Sequence, residues 1–217
     1  MGLLLLAVNV WGLAMPFSAN GADRALRIVA FGDSLTAGFM LPPADSFPAQ
    51  LQRELTAKGH KVEVINAGIS GDTTGAGLSR LEWAIGDHAD AVILELGAND
   101  ALRGIEPAKA RANLAAILSR LAARGLPVLI AGMRAPNNWG ENYVREFDAI
   151  FPELAKAGGH LLYPFFLDGV ATDAKLNLGD GLHPNREGVA RIVAGIVPHV
   201  EQLIERARSK AAAAAKG

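Results

Sequence analysis

Three residues of this 217-residue chain could together move an acyl group. Ser34 closes the run Arg27-Ile28-Val29-Ala30-Phe31-Gly32-Asp33-Ser34, and a serine hydroxyl becomes a nucleophile when a base takes its proton. His183 can be that base, because histidine is the side chain whose charge changes near neutral pH. Asp180 precedes it by three residues, so one loop can aim a carboxylate at the imidazole. Acyl transfer also needs donors for the oxyanion that forms at the carbonyl. The backbone N–H of Ser34, the backbone N–H of Gly68 and the side-chain amide of Asn99 could supply them. Gly68 suits a place where bare backbone must approach a substrate. Each residue alone has a plainer use: Ser34 could cap a turn or helix, and Asp180 could serve its own turn.

Positioning these groups requires strands that end at one edge. Arg27 to Phe31 reads as a buried parallel strand, which puts Ser34 where open α/β sheets bind ligands. Val62–Ala67, Ala91–Leu96, Val128–Ala131 and Leu161–Phe166 are further short apolar runs. Two of them end in polar punctuation, Asn66-Ala67-Gly68 and Gly97-Ala98-Asn99-Asp100, and a late loop, Gly179 to Asn185, can reach the same edge. Helical spacing fills the gaps: Phe47, Leu51, Leu55; then Leu78, Leu81, Ile85; then Leu114, Ile117, Leu118, Leu121 after Pro107. A helix over Val144–Leu154 should be kinked by Pro152. The last helix follows Asn185 and should bend at Pro198, with fraying expected from Ala211. Uninterrupted alternation predicts a parallel sheet covered on both faces. With no repeat and no linker, one domain is expected over residues 23–210, with residues 211–217 as a disordered tail; strand order stays open.

Composition narrows the function classes. The chain is 50% hydrophobic and 20% charged, enough for one substantial core. A formal charge of −1 argues against a nucleic-acid footprint, which needs a basic face. The absence of cysteine excludes disulfides and thiolate chemistry, and no pair among His60, His88, His160 and His199 has zinc-ligand spacing, so no metal is expected. Residues 1–22 carry no charge and resemble the apolar core and small-residue cleavage region of a signal peptide. They fall short of the ~20 apolar residues that span a bilayer. Removal of this segment and a periplasmic or secreted location are expected, with no stable membrane span afterwards; an uncleaved anchor is the rival.

Gly32-Asp33-Ser34-Leu35, Asn66-Ala67-Gly68, Gly97-Ala98-Asn99-Asp100 and Asp180-Gly181-Leu182-His183-Pro184 resemble, in order, the four blocks of the SGNH, or GDSL, hydrolase family. The likeness runs from Arg27 to about Ile204. Ile69-Ser70-Gly71-Asp72-Thr73-Thr74 and Leu102-Arg103-Gly104 are similar to the bacterial thioesterase, arylesterase and lysophospholipase branch, with Ala98 where that branch often has glycine. The resemblance implies a flavodoxin-like three-layer α/β/α sandwich with a five-stranded parallel sheet. It implies a Ser34–His183–Asp180 triad, an oxyanion hole from Ser34, Gly68 and Asn99, and no cofactor. The expected function is a serine ester hydrolase acting on small acyl esters or thioesters with apolar chains. A carbohydrate acetylesterase is the alternative, though it would favour an aromatic groove and the chain has three tryptophans. A flavodoxin-like phosphate- or flavin-binding protein is disfavoured by the acid at position 33. Met133 and Trp139 are expected to wall an acyl pocket, Arg103 (with Arg80 and Arg134) to hold an anionic head group, and Trp83 to pack in the core.

Overall fold

Residues 24–214 are described by a computed structural model; the expected signal segment and residues 215–217 lie outside the described residues. The chain runs β1 (Leu26–Gly32), α1 (Ser34–Ala37), α2 (Phe47–Ala57), β2 (Val62–Gly68), α3 (Thr74–Ile85), β3 (Ala91–Glu95), α4 (Ala98–Leu102) and α5 (Pro107–Ala123). It continues with β4 (Val128–Ala131), α6 (Glu141–Asp148), α7 (Ile150–Gly158), β5 (Leu161–Tyr163) and α8 (Arg186–Ala214). Every strand pair is parallel, in the order β2-β1-β3-β4-β5, the flavodoxin-like arrangement. Helices α2 and α8 pack together, as do α3 and α5, and the sheet lies between helical layers. β1 and β3 are buried along almost their whole length, which is why they read as continuous apolar runs.

This order puts the change of winding direction between β1 and β3, where ligands bind in open sheets. Gly32 is level with Gly68 on one side and Glu95 on the other, so three strand ends open at one height.

Prolines set three details. Pro152 does more than kink its helix: α6 stops at Asp148 and α7 starts at Ile150. A proline lacks the N–H that would reach back four residues, and its ring crowds the carbonyl there, at Asp148. Pro164 ends β5 at Tyr163, three residues before the expected Phe166. Pro198 lies within the continuous span of α8, which runs on to Ala214 through alanines with the highest helix propensity. Trp83 departs from its expected core role. The buried stripe of α3 is Thr74, Gly77, Leu81 and Ile85, and Trp83, two residues from Leu81, lies off it with 79% of its surface exposed.

Candidate active site

The strand β1 delivers its serine through a turn that tolerates no side chain at Gly32. A Cβ there would overlap Thr36, the Glu95 carboxylate and the Glu95 backbone. Asp33 then caps α1: its Oδ1 accepts the Leu35 N–H at 3.0 Å. Ser34 is the first residue of that helix, and Gly38, left-handed at φ 82°, ends it one turn later.

The loop before α8 brings up the base. It is cinched by the Leu178 N–H to His183 carbonyl bond (2.7 Å) and the Asn185 N–H to Leu176 carbonyl bond (2.9 Å). Asp180 Oδ1 accepts the N–H groups of Leu182 (2.9 Å) and His183 (3.0 Å), and its Oδ2 meets His183 Nδ1 at 2.7 Å. Those two backbone donors, with the imidazole, hold the Asp180 carboxyl down to about 2. His183 Nε2 lies 3.0 Å from Ser34 Oγ. A carboxylate can only accept, so Nδ1 carries the proton and Nε2 is left to accept from the serine hydroxyl. The three residues expected from their types and spacing are thus brought together in one relay. Phe39, just past α1, lays its ring over the imidazole with centroids 4.3 Å apart.

Of the three expected oxyanion donors, two keep a hydrogen without a partner among the described residues and one does not. Among the described residues the Ser34 N–H has no hydrogen-bond partner. Asn99, in the first turn of α4, donates one Nδ2 hydrogen to Asp33 Oδ2 at 3.2 Å and keeps the other. Gly68 donates its N–H to Asn66 Oδ1 at 3.0 Å, and a Cβ on it would strike the Ala37 backbone. Its smallness serves the packing of α1 on β2, and its N–H is already taken. Gly71, three residues on, is left-handed at φ 87° and has an N–H without a partner among the described residues. Its carbonyl accepts Arg103 Nη2 at 3.0 Å, which ties its loop to the end of α4.

The expected pocket residues are employed otherwise. Met133 is 4% exposed and belongs to the core, lining a shallow depression of about 380 Å³ with Arg134, Asp148, Pro152, Leu162 and Pro164. Trp139 donates its indole N–H to the Ala101 carbonyl at 2.7 Å and covers Gly104, so it braces the segment after Asn99. Arg80 bonds Asp72 and the carbonyls of Ala67 and Gly32, and stacks over Phe31. Arg134 sits over the Phe165 ring. Reading by type alone also missed the apolar side chains beside the relay. Phe39, Met40, Ile69 and Leu182 are all exposed, Met40 by 80% and in a left-handed conformation at φ 56°. Phe39 lies on the His183 ring, Ile69 follows Gly68 and Leu182 precedes His183, a signal the sequence does carry for the last two.

Next to Asn99 and the Ser34 turn lie two buried acids, Asp33 and Glu95, both wholly inaccessible to solvent. Burial pushes the Asp33 carboxyl up to about 6 and the Glu95 carboxyl well above its usual range, with the Asp33 charge adding to the latter.

A model of the GDSL-like lipase/acylhydrolase family matches residues 30–191. An arylesterase of Vibrio mimicus is 40% identical over 182 residues, which cover 83% of this chain and 91% of that protein. Thioesterase 1/protease 1/lysophospholipase L1 of Escherichia coli (strain K12) is 36% identical over 191 residues, 88% and 89% of the two chains. The solved structure of AlinE4, an SGNH-hydrolase family esterase, is 45% identical and superposes with a TM-score of 0.70, over 82% of this chain and 96% of that one.

Proposed function

The chain belongs to the GDSL-like lipase/acylhydrolase family, and from that premise we propose that it hydrolyses carboxylic esters and thioesters through an acyl-enzyme on Ser34. The observation that carries this is the relay from Ser34 Oγ to His183 Nε2 at 3.0 Å and from Nδ1 to Asp180 at 2.7 Å. In that geometry the serine oxygen attacks the acyl carbon as its proton passes to Nε2, and Asp180 stabilises the imidazolium. The new oxyanion takes hydrogen bonds from the N–H groups of Ser34 and Gly71 and the Asn99 amide, with Gly68 left to its packing role. The imidazolium then protonates the departing alkoxide or thiolate, and water enters by the same path in reverse.

The acyl group is apolar in this proposal. Phe39, Ile69 and Leu182 offer hydrophobic surface beside the relay, with exposed Met40 next to Phe39 in sequence, while Arg80, Arg103 and Arg134 are engaged within the protein. Rates on p-nitrophenyl esters of increasing length, with an acyl-CoA and a lysophospholipid alongside, test it. Activity should rise from acetyl to medium chains, each methylene adding ~1–3 kcal/mol at most. Met40→Gly should flatten that rise and spare acetyl ester hydrolysis. Fastest turnover of acetylated polysaccharide would favour the acetylesterase alternative instead. Export is part of the proposal, on the uncharged apolar run in residues 1–22; no helix among the described residues is long and apolar enough to cross a membrane. N-terminal sequencing of protein from its host tests it, and an intact Met1 on cytoplasmic protein would sink it.

Asn99 separates transition-state help from simple binding. The charge it meets exists only as the tetrahedral intermediate forms, so Asn99→Ala should lower kcat by about 10²–10³ and change KM less than about threefold. An unchanged kcat with a lowered thermal midpoint would refute the role. Gly68→Ala, crowding Ala37, should lower the midpoint with little change in kcat, whereas Gly71→Ala keeps its N–H but strains the left-handed turn that aims it, so kcat and midpoint should fall together.

A further inference from the structure

Two acidic side chains fully inside a protein, with no cation bonded to either, need an account. Glu95 is also one of two described residues with a buried side-chain polar atom lacking any partner, its Oε1. The two carboxyls are bonded quite differently. Glu95 Oε2 accepts both the Thr36 hydroxyl (2.7 Å) and the Asp33 N–H (3.3 Å), while Oε1 accepts nothing. The neutral acid costs less in that setting: Oε2 accepts as its carbonyl oxygen, and the hydroxyl at Oε1 is left unpaired among the described residues. An ionised carboxylate would leave half its charge unsolvated. Asp33 has one donor on each oxygen, the Leu35 N–H at 3.0 Å and the Asn99 amide at 3.2 Å. That pattern fits an anion.

The charged groups around the pair are few. His183 and Asp72 act on Asp33 through space, and Asp72 is itself paired with Arg80 at 2.5 Å. Arg80 reaches the Gly32 carbonyl at 2.8 Å and bonds neither carboxyl. Two neighbouring buried carboxyls cannot both ionise without large repulsion, so one of them keeps its proton.

We infer that Asp33 and Glu95 act as one electrostatic unit behind the oxyanion hole: Glu95 keeps its proton, Asp33 keeps the charge, and that charge fixes which end of the Asn99 amide faces the substrate. An ionised Asp33 only accepts, so it must meet Nδ2, and the second Nδ2 hydrogen then points elsewhere, to the oxyanion. A neutral partner at position 33 could donate to Asn99 Oδ1 and let the amide turn over, placing a lone pair where a donor is needed. Asp33 is the positioning residue; Glu95 only leaves the charge to it by staying neutral. Their role rests on the oxyanion function proposed above for Asn99.

The test has a spectroscopic arm and a kinetic arm. At pH 8 the infrared spectrum should contain the C=O stretch of a protonated carboxylic acid, shifted by ¹³C labelling of glutamate carboxyls and not of aspartate carboxyls, and lost in Glu95→Gln. In the kinetic arm, on a p-nitrophenyl ester at pH 8, Glu95→Gln replaces one neutral group by another and should keep kcat within about threefold. Asp33→Asn should lower kcat by about 10²–10³ with KM within about threefold and no fall in thermal midpoint, the size of losing one oxyanion donor. The double variant Asp33→Asn/Asn99→Ala should be no slower than Asn99→Ala alone, because both remove the same donor. Absence of a glutamate-derived acid band in the parent, or multiplying losses in the double variant, would overturn the inference. A parent that shows the band and hydrolyses no ester would instead sink the proposed function, since the band does not depend on turnover.

Discussion

Ser34→Ala should reduce kcat by about 10⁶ while the protein folds as before. When nucleophile and base act as a unit, loss of either removes almost the whole chemical advantage, and what remains comes from binding and the oxyanion hole. Ser34 Oγ has one hydrogen-bond partner in the structure, His183 Nε2, so alanine leaves no other group unpaired and α1 keeps its backbone bonds. The stoichiometric burst of p-nitrophenol that reports acyl-enzyme formation should vanish. Adding His183→Ala to Ser34→Ala should cost little more, since the relay is already broken. Retention of even a hundredth of the parent kcat would place the nucleophile elsewhere.

Asp180→Asn should lower kcat by about 10⁴ and leave the thermal midpoint within a degree or two. The two oxygens of Asp180 do separate jobs. Oδ1 ties down the loop through the Leu182 and His183 N–H groups, and an asparagine carbonyl can do the same. Oδ2 accepts from His183 Nδ1; an asparagine amide there would donate instead. The imidazole would then hold its proton on Nε2 and could not take the one on Ser34. Because the Asp180 carboxyl sits near 2, it stays ionised through the working range, and no loss of rate above about pH 3 should trace to it. A variant with near-full activity would show that the imidazole is oriented without Asp180.

The strands were legible because a parallel strand buried on both faces is a short apolar run ended by a turn residue; Val128–Ala131 was read to the residue. The relay was legible because its members sit at strand ends or in one loop, where spacing restricts reach. Other features were not. Helices α1 and α4 span four and five residues, too few to display a period. Two glycines three apart, Gly68 and Gly71, look alike in sequence, and only backbone dihedrals and hydrogen bonds decide which N–H is free. The break before Ile150 was misplaced because proline acts on the carbonyl four residues upstream. Trp83 is exposed for a reason its spacing holds: two residues from Leu81 is about 200° around the helix, away from the buried stripe. Glu95 had a visible signature, one acid closing an otherwise apolar strand, and its use became apparent only when β1 and β3 were paired in register.

The buried acids make durability and rate peak at different acidities. Asp33 titrates near 3.8 in an open chain and near 6 in the fold, so between those values the folded protein binds a proton that the unfolded chain releases. Stability contributed by this group is therefore full below about pH 4 and declines as pH rises to 6, after which the loss is complete and constant. At about 1.4 kcal/mol per pH unit, the handicap is on the order of a few kcal/mol, a sizeable part of a domain's ordinary margin. Asp180 works in the opposite sense, favouring the fold above about pH 4 and losing that as pH falls toward 2, but its exposure makes the effect small. Through Asp33, heat resistance should rise as pH falls from 6 toward 4, where this acid is protonated and the hole is slack, while Asp90 and His160, both with lowered pKa values, pull the other way. The chain should hydrolyse fastest above pH 6, on a thinner reserve of stability. Acid storage and neutral use would suit the same molecule.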